Sequence, residues 1–351
     1  MKRLRVLILG TGGMARTHAE AYAAMADVDV VAGVDVQEAA VTAFCDKHGI
    51  EHRFTSLDAA IKWGGFDAVS NVTPDQLHHA TTIPLLAAGK HVLCEKPLAT
   101  NYSDAQALAD AAKQAGVVNM VNLSYRNVAV MQQAAQLVRE GVIGEPRHFE
   151  ASYLQSWLTQ PSWGDWRSEP TWLWRLSSKH GSKGVLGDVG VHILDFVSFV
   201  ADSMPVDVSC RLKTFAKAPG DQIGAYHLDA NDSCAMHLEL EGGATGVISA
   251  SRFASGHHND LRLRLYGTLG GLEVRFERKT ETLKLCVGDD MLSETWRDVA
   301  APAVTSVYQR FVAAVLKGGP SEPSFAHGAA LQRVLDCAEG SDAAGGKSVK
   351  V

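Results

Sequence analysis

The chain has 351 residues, too many for one small core and a natural length for two domains. Its composition is ordinary for a globular protein, 46% hydrophobic and 21% charged, and a net charge of −6 argues against a nucleic-acid partner, which would want a basic face. Six cysteines stand far apart with no CxxC pair, so we expect buried thiols in a reducing, cytoplasmic setting, with neither disulfides nor a zinc site.

The opening "MKRLRVLILG" sets charges before an apolar run too short to span a membrane. No small-residue cleavage site follows, so a strand fits better than a signal peptide. Further β-rich runs come at 28–36, 66–73, 91–96 and 117–123, separated by Ala-rich segments of helical period such as "SDAQALADAAKQAG". Near-continuous apolar strands alternating with helices predict a doubly wound parallel sheet covered on both faces. After about residue 145 the texture changes to runs that alternate apolar with polar, joined by Gly-rich turns, as in "DSCAMHLELEGGATGVISASRF". That pattern predicts a mostly antiparallel sheet with one covered face. The end, "SVYQRFVAAVLKGG" and "GAALQRVLDCAEGS", returns to amphipathic helix. We therefore expect a Rossmann-type α/β domain over 1–124 and an α+β domain over 125–351, with C-terminal helices free to pack back on the first.

The first strand runs directly into "GTGGMA", the G-x-G-x-x-A form of the dinucleotide fingerprint. Gly10 permits the tight turn, Gly12 lets backbone approach a pyrophosphate, and Ala15 allows helix to close on strand. The loop Gly10, Thr11, Gly12, Gly13 and Met14, with the helix N-terminus behind it, is the expected phosphate cradle. Asp35, 25 positions after Gly10, ends the second strand, where a carboxylate accepts from both ribose hydroxyls and repels a 2′-phosphate. No Arg follows it, so NAD is favoured over NADP. The plain alternative is an ordinary βα turn with Asp35 as a cap.

Ligands of a doubly wound sheet lie outside the carboxyl ends of its strands. Thr73-Pro74 and Glu95-Lys96-Pro97 stand at two such ends, with His78 soon after the first. Thr73 and Pro74 are a candidate platform for the cofactor, His78 a further cofactor contact or else a helix-surface histidine, Glu95 a holder of a ribose hydroxyl, and Lys96 a group reaching toward a substrate oxygen and the cofactor. Tyr125 and Arg126, just past the last parallel strand, are candidates for substrate contact. In "GVLGDVGVHILDF", Asp188, His192 and Asp195 fall at i, i+4 and i+7 on one face of an expected helix. Oxidising a secondary alcohol needs a base near neutral pKa, and histidine is one. A carboxylate can orient it, and a lysine can stabilise the developing alkoxide. The same spacing also suits an N-cap aspartate and a core histidine. Histidine pairs at 78–79 and 257–258 show no metal-ligand spacing.

With these residues in place the chain resembles the glucose-fructose oxidoreductase/inositol dehydrogenase family, Gfo/Idh/MocA. The landmarks are "GTGGMARTHAEAY", "TPDQLHHATTIPLLAAGKHVLCEKPLA", "YRNVAVMQQAAQLVREGVIGEPRHF", "GDVGVHILD" and "EPSFAHGAALQRVLDC". The resemblance implies a Rossmann domain plus an open-faced sheet domain, and NAD(P)-dependent oxidation or reduction of sugars and cyclic polyols; a Lys, Asp and His set brought together would do that chemistry without a metal. It implies catalytic roles for Lys96, Asp188 and His192, and homodimers or homotetramers formed through the sheet. Relatives of this fold also include glycosidases that use NAD transiently and ligand-sensing regulators; the intact Lys-Asp-His set argues against a sensor. Two departures stand out. Asp75 replaces the family's frequent Asn, and "LSSKHGSKG" follows Trp174-Arg175 where an Asp-Pro pair is common. Five of seven tryptophans, at 157, 163, 166, 172 and 174, crowd one loop. They suit either stacking on a sugar, with Trp174 and Arg175 as contacts, or a structural aromatic cluster.

Overall fold

The structure, a computed structural model, describes residues 3–278 and 280–351. It divides into two compact units. One runs to Leu123 and includes Thr305–Gln332; the other comprises Ser124–Val304 and Arg333–Val351.

The first unit carries a six-stranded parallel sheet. Its strands are β1 (Leu4–Leu9), β2 (Val28–Val34), β3 (His52–Phe54), β4 (Ala68–Asn71), β5 (His91–Cys94) and β6 (Asn119–Val121), in the order β3-β2-β1-β4-β5-β6. In "LRVLIL" of β1 only Arg5 is not fully buried, because helices cover both faces. The connecting helices are α1 (Ala15–Ala23), α2 (Glu38–His48), α3 (Leu57–Trp63), α4 (His78–Ala87) and α5 (Tyr102–Ala115). Helix α5 shows how local sequence sets such ends: Asn101 caps it by accepting from the Asp104 N–H, and Gly116 at φ 64° closes it. The strand order reverses between β1 and β4, which opens a crevice at the carboxyl ends of the strands.

In the second unit, a nine-stranded sheet is built from β7 (Pro146–Leu154), β8 (Pro205–Lys213), β11 (Ser233–Leu240), β12 (Thr245–Ser251), β13 (Asp260–Gly267), β14 (Gly270–Glu277), β15 (Thr280–Val287), β16 (Arg297–Asp298) and β17 (Val349–Lys350). A separate two-stranded ribbon pairs β9 (Gln222–Ile223) with β10 (Tyr226–His227). All pairings of the large sheet are antiparallel except β7 with β12. Along β11 inward and outward positions alternate strictly, with Cys234, Met236, Leu238 and Leu240 buried. Helix α6 (Ala129–Arg139) and the short α7 (Pro170–Leu173) precede α8 (Val191–Ala201), which packs on α6 and the sheet. Ten of the eleven α8 residues are buried, as an apolar-all-round helix must be.

After the short α9 (Asp289–Leu292), helix α10 (Val307–Lys317) starts with a capping box between Ser306 and Gln309. It returns to the first unit, burying Val307, Tyr308, Phe311 and Val312 against the core of α1 and β1. Helix α11 (Phe325–Ala343) follows. All six cysteines are free, five of them buried. Among the described residues no helix is long and apolar enough to cross a membrane.

Candidate active site

The glycine loop leaves β1 through Gly10, whose φ is +86° and whose absent Cβ would sit 2.8 Å from the Val72 carbonyl oxygen. At Gly12 and Gly13 the situation is opposite: a Cβ there would meet nothing within 4 Å. Packing within the protein does not need those glycines, so the bare, exposed backbone is suited to a group from outside, as a pyrophosphate would be. Asp35 holds the loop from the end of β2, Oδ2 accepting from the Thr11 N–H at 2.9 Å and the Thr11 hydroxyl at 2.8 Å. Met14 and Val36 are exposed apolar side chains flanking this loop and the end of β2.

At the ends of β4 and β5 the polar residues are tied together from beneath. Buried Asn71 accepts from the Thr73 N–H and hydroxyl through Oδ1, while its amide donates to Thr81 and Thr82. His78 was expected to contact cofactor, yet it is fully buried. Its Nδ1 lies 2.8 Å from the Pro97 carbonyl and its Nε2 2.9 Å from the Thr73 carbonyl. Two carbonyl oxygens require two donors, so this imidazole is charged and clasps one loop to the other. Burial opposes the charge, but Cys94, Asp75 and the Pro97 carbonyl outweigh it and raise the pKa to about 10.

Glu95, expected to hold a ribose hydroxyl, is anchored from within its own unit. Its Oε1 accepts from His18 Nε2 at 2.8 Å and from Asn122 Nδ2 at 2.6 Å, and its Oε2 from the Lys96 N–H at 3.2 Å. Burial pushes its carboxyl up, but the His18 bond and charge, the Lys96 charge and the Asn122 bond together bring it down to about 2. His18 is fully buried, its Nδ1 2.6 Å from Ser70 Oγ and its ring edge-on to Tyr308 of α10. Lys96 is half-buried at this anchored strand end, and its bond to Pro97 is cis.

In the second unit, Asp188 lies in a π-helical turn, Leu186–Gly190, where a regular helix start was expected; α8 begins directly after it. Such widened turns recur at functional sites. Asp188 Oδ2 accepts from Arg252 at 3.0 Å, and Arg252 is wholly buried, also donating to the carbonyls of Arg175 and Gly184. One turn on, His192 is 7% exposed with its ring 4.9 Å from that of Tyr125, edge to face. The two carboxylates of this segment serve different arginines. Asp195 forms a buried two-pronged pair with Arg126, at 2.6 and 3.0 Å. Arg126, expected at the substrate, holds α8 through this pair and stacks on Phe199.

Tyr125 lines an open cleft of about 630 Å³ together with Asn127, His258, Asn259, Phe276 and Arg278. The tryptophan segment makes its own small core: Trp157 and Trp166 are buried with Leu158, Leu173, Leu176 and Leu228. Trp163 reaches His258 on the cleft wall, ring centroids 4.3 Å apart. The Arg175 guanidinium lies over the rings of both Trp174 and Trp172, the latter packed against this cluster.

Two family models match this chain. Residues 4–123 match an oxidoreductase family with an NAD-binding Rossmann fold, and residues 131–273 match the Gfo/Idh/MocA C-terminal domain. The chain belongs to the Gfo/Idh/MocA oxidoreductase family. It is similar to levoglucosan dehydrogenase of Pseudarthrobacter phenanthrenivorans, 27% identical with 93% of each chain covered. Inositol 2-dehydrogenase of Rhizobium meliloti is likewise 27% identical, covering 95% of this chain and 96% of its own. Among solved structures, a levoglucosan dehydrogenase in complex with NADH superposes with a TM-score of 0.88 at 26% identity, covering 100% of this chain and 99% of its own. An oxidoreductase domain protein from Kribbella flavida gives 0.86 at 29% identity over the whole of both chains. As a family member the chain is an NAD-binding oxidoreductase, and the open cradle at Gly12 and Gly13 fits that cofactor.

Within this Gfo/Idh/MocA chain, Lys96 belongs to the first unit and Asp188 and His192 to the second. Sequence reasoning passed over His18, Asn122, Tyr153, Arg252 and Asn259. A signal existed for two of them: His18 shares the buried stripe of α1 with Ala15, Ala19 and Tyr22, and Arg252 continues the inward phase of Ile248 and Ala250. One group of potential metal ligands, His257, Asp260 and Glu277, has its donor atoms within 4.8 Å of one another. Arg262 and Arg275 both pair with the buried Asp260, which makes that spot hostile to a cation.

Proposed function

We propose that this protein is an NAD-dependent dehydrogenase of a secondary hydroxyl on a sugar, sugar derivative or cyclic polyol, with Lys96, Asp188 and His192 as its catalytic set. Bound NAD would supply the hydride acceptor for oxidation and, in its reduced form, the hydride donor for reduction. Thr11, Gly12, Gly13 and Met14 would hold its phosphates, Asp35 its ribose, and Thr73 and Pro74 would line its bed. His192 takes the hydroxyl proton during oxidation and returns it during reduction. Lys96 donates to the reacting oxygen, and its backbone is steadied by Glu95 Oε2 at 3.2 Å. Asp188, oriented by Arg252, binds the substrate or steadies His192. A guanidinium 3.0 Å from Asp188 sets the local charge and disfavours a divalent cation at that carboxylate, so the reading is metal-free.

The observation that carries this reading is the edge-to-face contact of His192 with Tyr125, which itself lines an open cleft large enough for a monosaccharide. The names of the relatives, dehydrogenases of levoglucosan and inositol, support the substrate class. The test is kinetic. NADH formation is followed on a panel of sugars and inositols, with Lys96→Ala and His192→Ala alongside the wild type. Both variants are expected to lose turnover while keeping their fold and NAD affinity. Wild-type rates in either would remove that residue from the mechanism. NAD binding without NADH formation on every compound would favour a sensor.

A further inference from the structure

We propose that Trp157, Gln155, Asn259, Tyr153 and Tyr125 form a hydrogen-bond relay of fixed direction, which makes the cleft read one substrate hydroxyl as a donor. The proposal rests on the dehydrogenase reading and adds to it the chemistry that selects the substrate.

The direction is set at the end remote from the cleft. An indole N–H can only donate, so the Gln155 atom 3.1 Å from Trp157 Nε1 is the amide oxygen. The Gln155 nitrogen is thereby turned toward Asn259, donating to Oδ1 at 2.7 Å. Asn259 Oδ1 takes a second donor, the Tyr153 hydroxyl, at 2.9 Å. Tyr153 has then given its only proton away, so in its 2.5 Å contact with Tyr125 it must accept and Tyr125 must donate. Reversing a link would set donor against donor at Trp157 or acceptor against acceptor at Asn259 Oδ1, among the buried side chains of Trp157, Gln155 and Tyr153. The two phenols keep their protons at neutral pH. Burial is the leading cause, pushing Tyr125 up to about 12 and Tyr153 well above its ordinary value.

Two members of the relay, Tyr125 and Asn259, line the cleft. The Tyr125 oxygen has spent its proton on Tyr153 and can only accept. The Asn259 oxygen already holds two donors, so its amide nitrogen is the part left to offer. A substrate hydroxyl satisfies both, donating to one and accepting from the other. A keto oxygen, an ether or a fluorine cannot donate, and would leave the Tyr125 lone pairs without a partner. Because the Tyr125 ring lies 4.9 Å from that of His192, the group read here is a near neighbour of the carbon being oxidised. The selected substrate is a polyol with a free hydroxyl beside the reacting carbon. The tryptophan loop takes part without touching it, by anchoring the relay at Trp157.

The experiment compares kcat/KM for D-glucose, levoglucosan and myo-inositol with their monodeoxy and monodeoxyfluoro derivatives, using wild type, Tyr125→Phe and Trp157→Phe. In the wild type, replacing the hydroxyl at one ring position beside the oxidised carbon by fluorine should lower kcat/KM on the order of tenfold to a hundredfold. That ratio should collapse toward the intrinsic effect of fluorine in Tyr125→Phe and narrow in Trp157→Phe, where the relay is free to invert. Each ratio is taken within one variant, so loss of folded protein cancels. An unchanged ratio in both variants overturns the relay and leaves the dehydrogenase reading standing. Absence of NADH from every parent compound with the wild type overturns both.

Discussion

Replacing His18 by leucine tests how the end of β5 is built. The imidazole is fully buried and gives Glu95 Oε1 a 2.8 Å hydrogen bond; leucine fills the space without a donor. Removing one partner of a buried charged pair costs ~3–5 kcal/mol. Glu95 keeps Asn122 at 2.6 Å and the Lys96 N–H at 3.2 Å, so the lower end, about 3 kcal/mol, applies. In a domain of this size that is a fall of roughly 6–12 °C in Tm. The pH dependence gives a second handle. The Glu95 carboxyl lies near 2 when folded against 4.5 in its ordinary state, so its stabilisation is complete above pH 4.5 and is lost as pH falls toward 2. Leucine at 18 raises the folded value, so wild type and variant should differ most near neutrality and converge in acid. Thermal unfolding by circular dichroism at pH 7, 5 and 3 measures both effects. A variant that unfolds within about 1 °C of wild type at pH 7 would refute the reasoning, as would a difference that stays constant down to pH 3.

Two further substitutions probe the other buried polar anchors. His78 has a raised pKa, about 10 against 6.5, so its contribution is whole below pH 6.5 and disappears as pH climbs through 10. Wild-type Tm should decline across that window and His78→Gln should decline less; parallel curves would show that the clasp carries no charge. Arg252→Met leaves Asp188 without its cation and two carbonyls without their donor, costing about 3 kcal/mol, since Asp188 is partly exposed. Under the proposed mechanism the displaced carboxylate should lower kcat on the order of 10²-fold. Urea unfolding and steady-state kinetics measure the pair of effects, and an unaltered kcat would detach Arg252 from catalysis.

Much of the first unit was legible because its buried strands are unbroken apolar runs and its glycine loop has few other uses. Strand β3 was not. Its three residues, His52-Arg53-Phe54, form an edge strand with no fully buried side chain, so no hydrophobic pattern marks it. The second unit's alternation announced an antiparallel sheet, but the parallel pairing of β7 with β12 depends on contacts far apart in sequence, which no local period records. The spacing of Asp188 and His192 was visible, while the π-helical turn beneath it was not, since one extra residue in a turn leaves the sequence pattern almost unchanged.

Three of the residues expected at ligand positions share one physical property. Glu95, His78 and Arg126 are polar side chains next to expected ligand positions, and each turns out to be buried with its hydrogen bonds spent inside its own unit. A strand end facing a crevice must hold half-buried groups such as Lys96 still, and the first unit does so by burying their neighbours in satisfied polar networks. Sequence proximity cannot tell the held group from the one that holds it, because both must be polar. What separates them is the phase of the partner. His18 on the buried stripe of α1 and Arg252, one residue past β12 in the phase of its buried Ile248 and Ala250, are polar where that phase is otherwise apolar, and each meets a site carboxylate there. A polar residue in core phase therefore points to a neighbouring residue under control, and here the residues so indicated are Glu95, beneath Lys96, and Asp188.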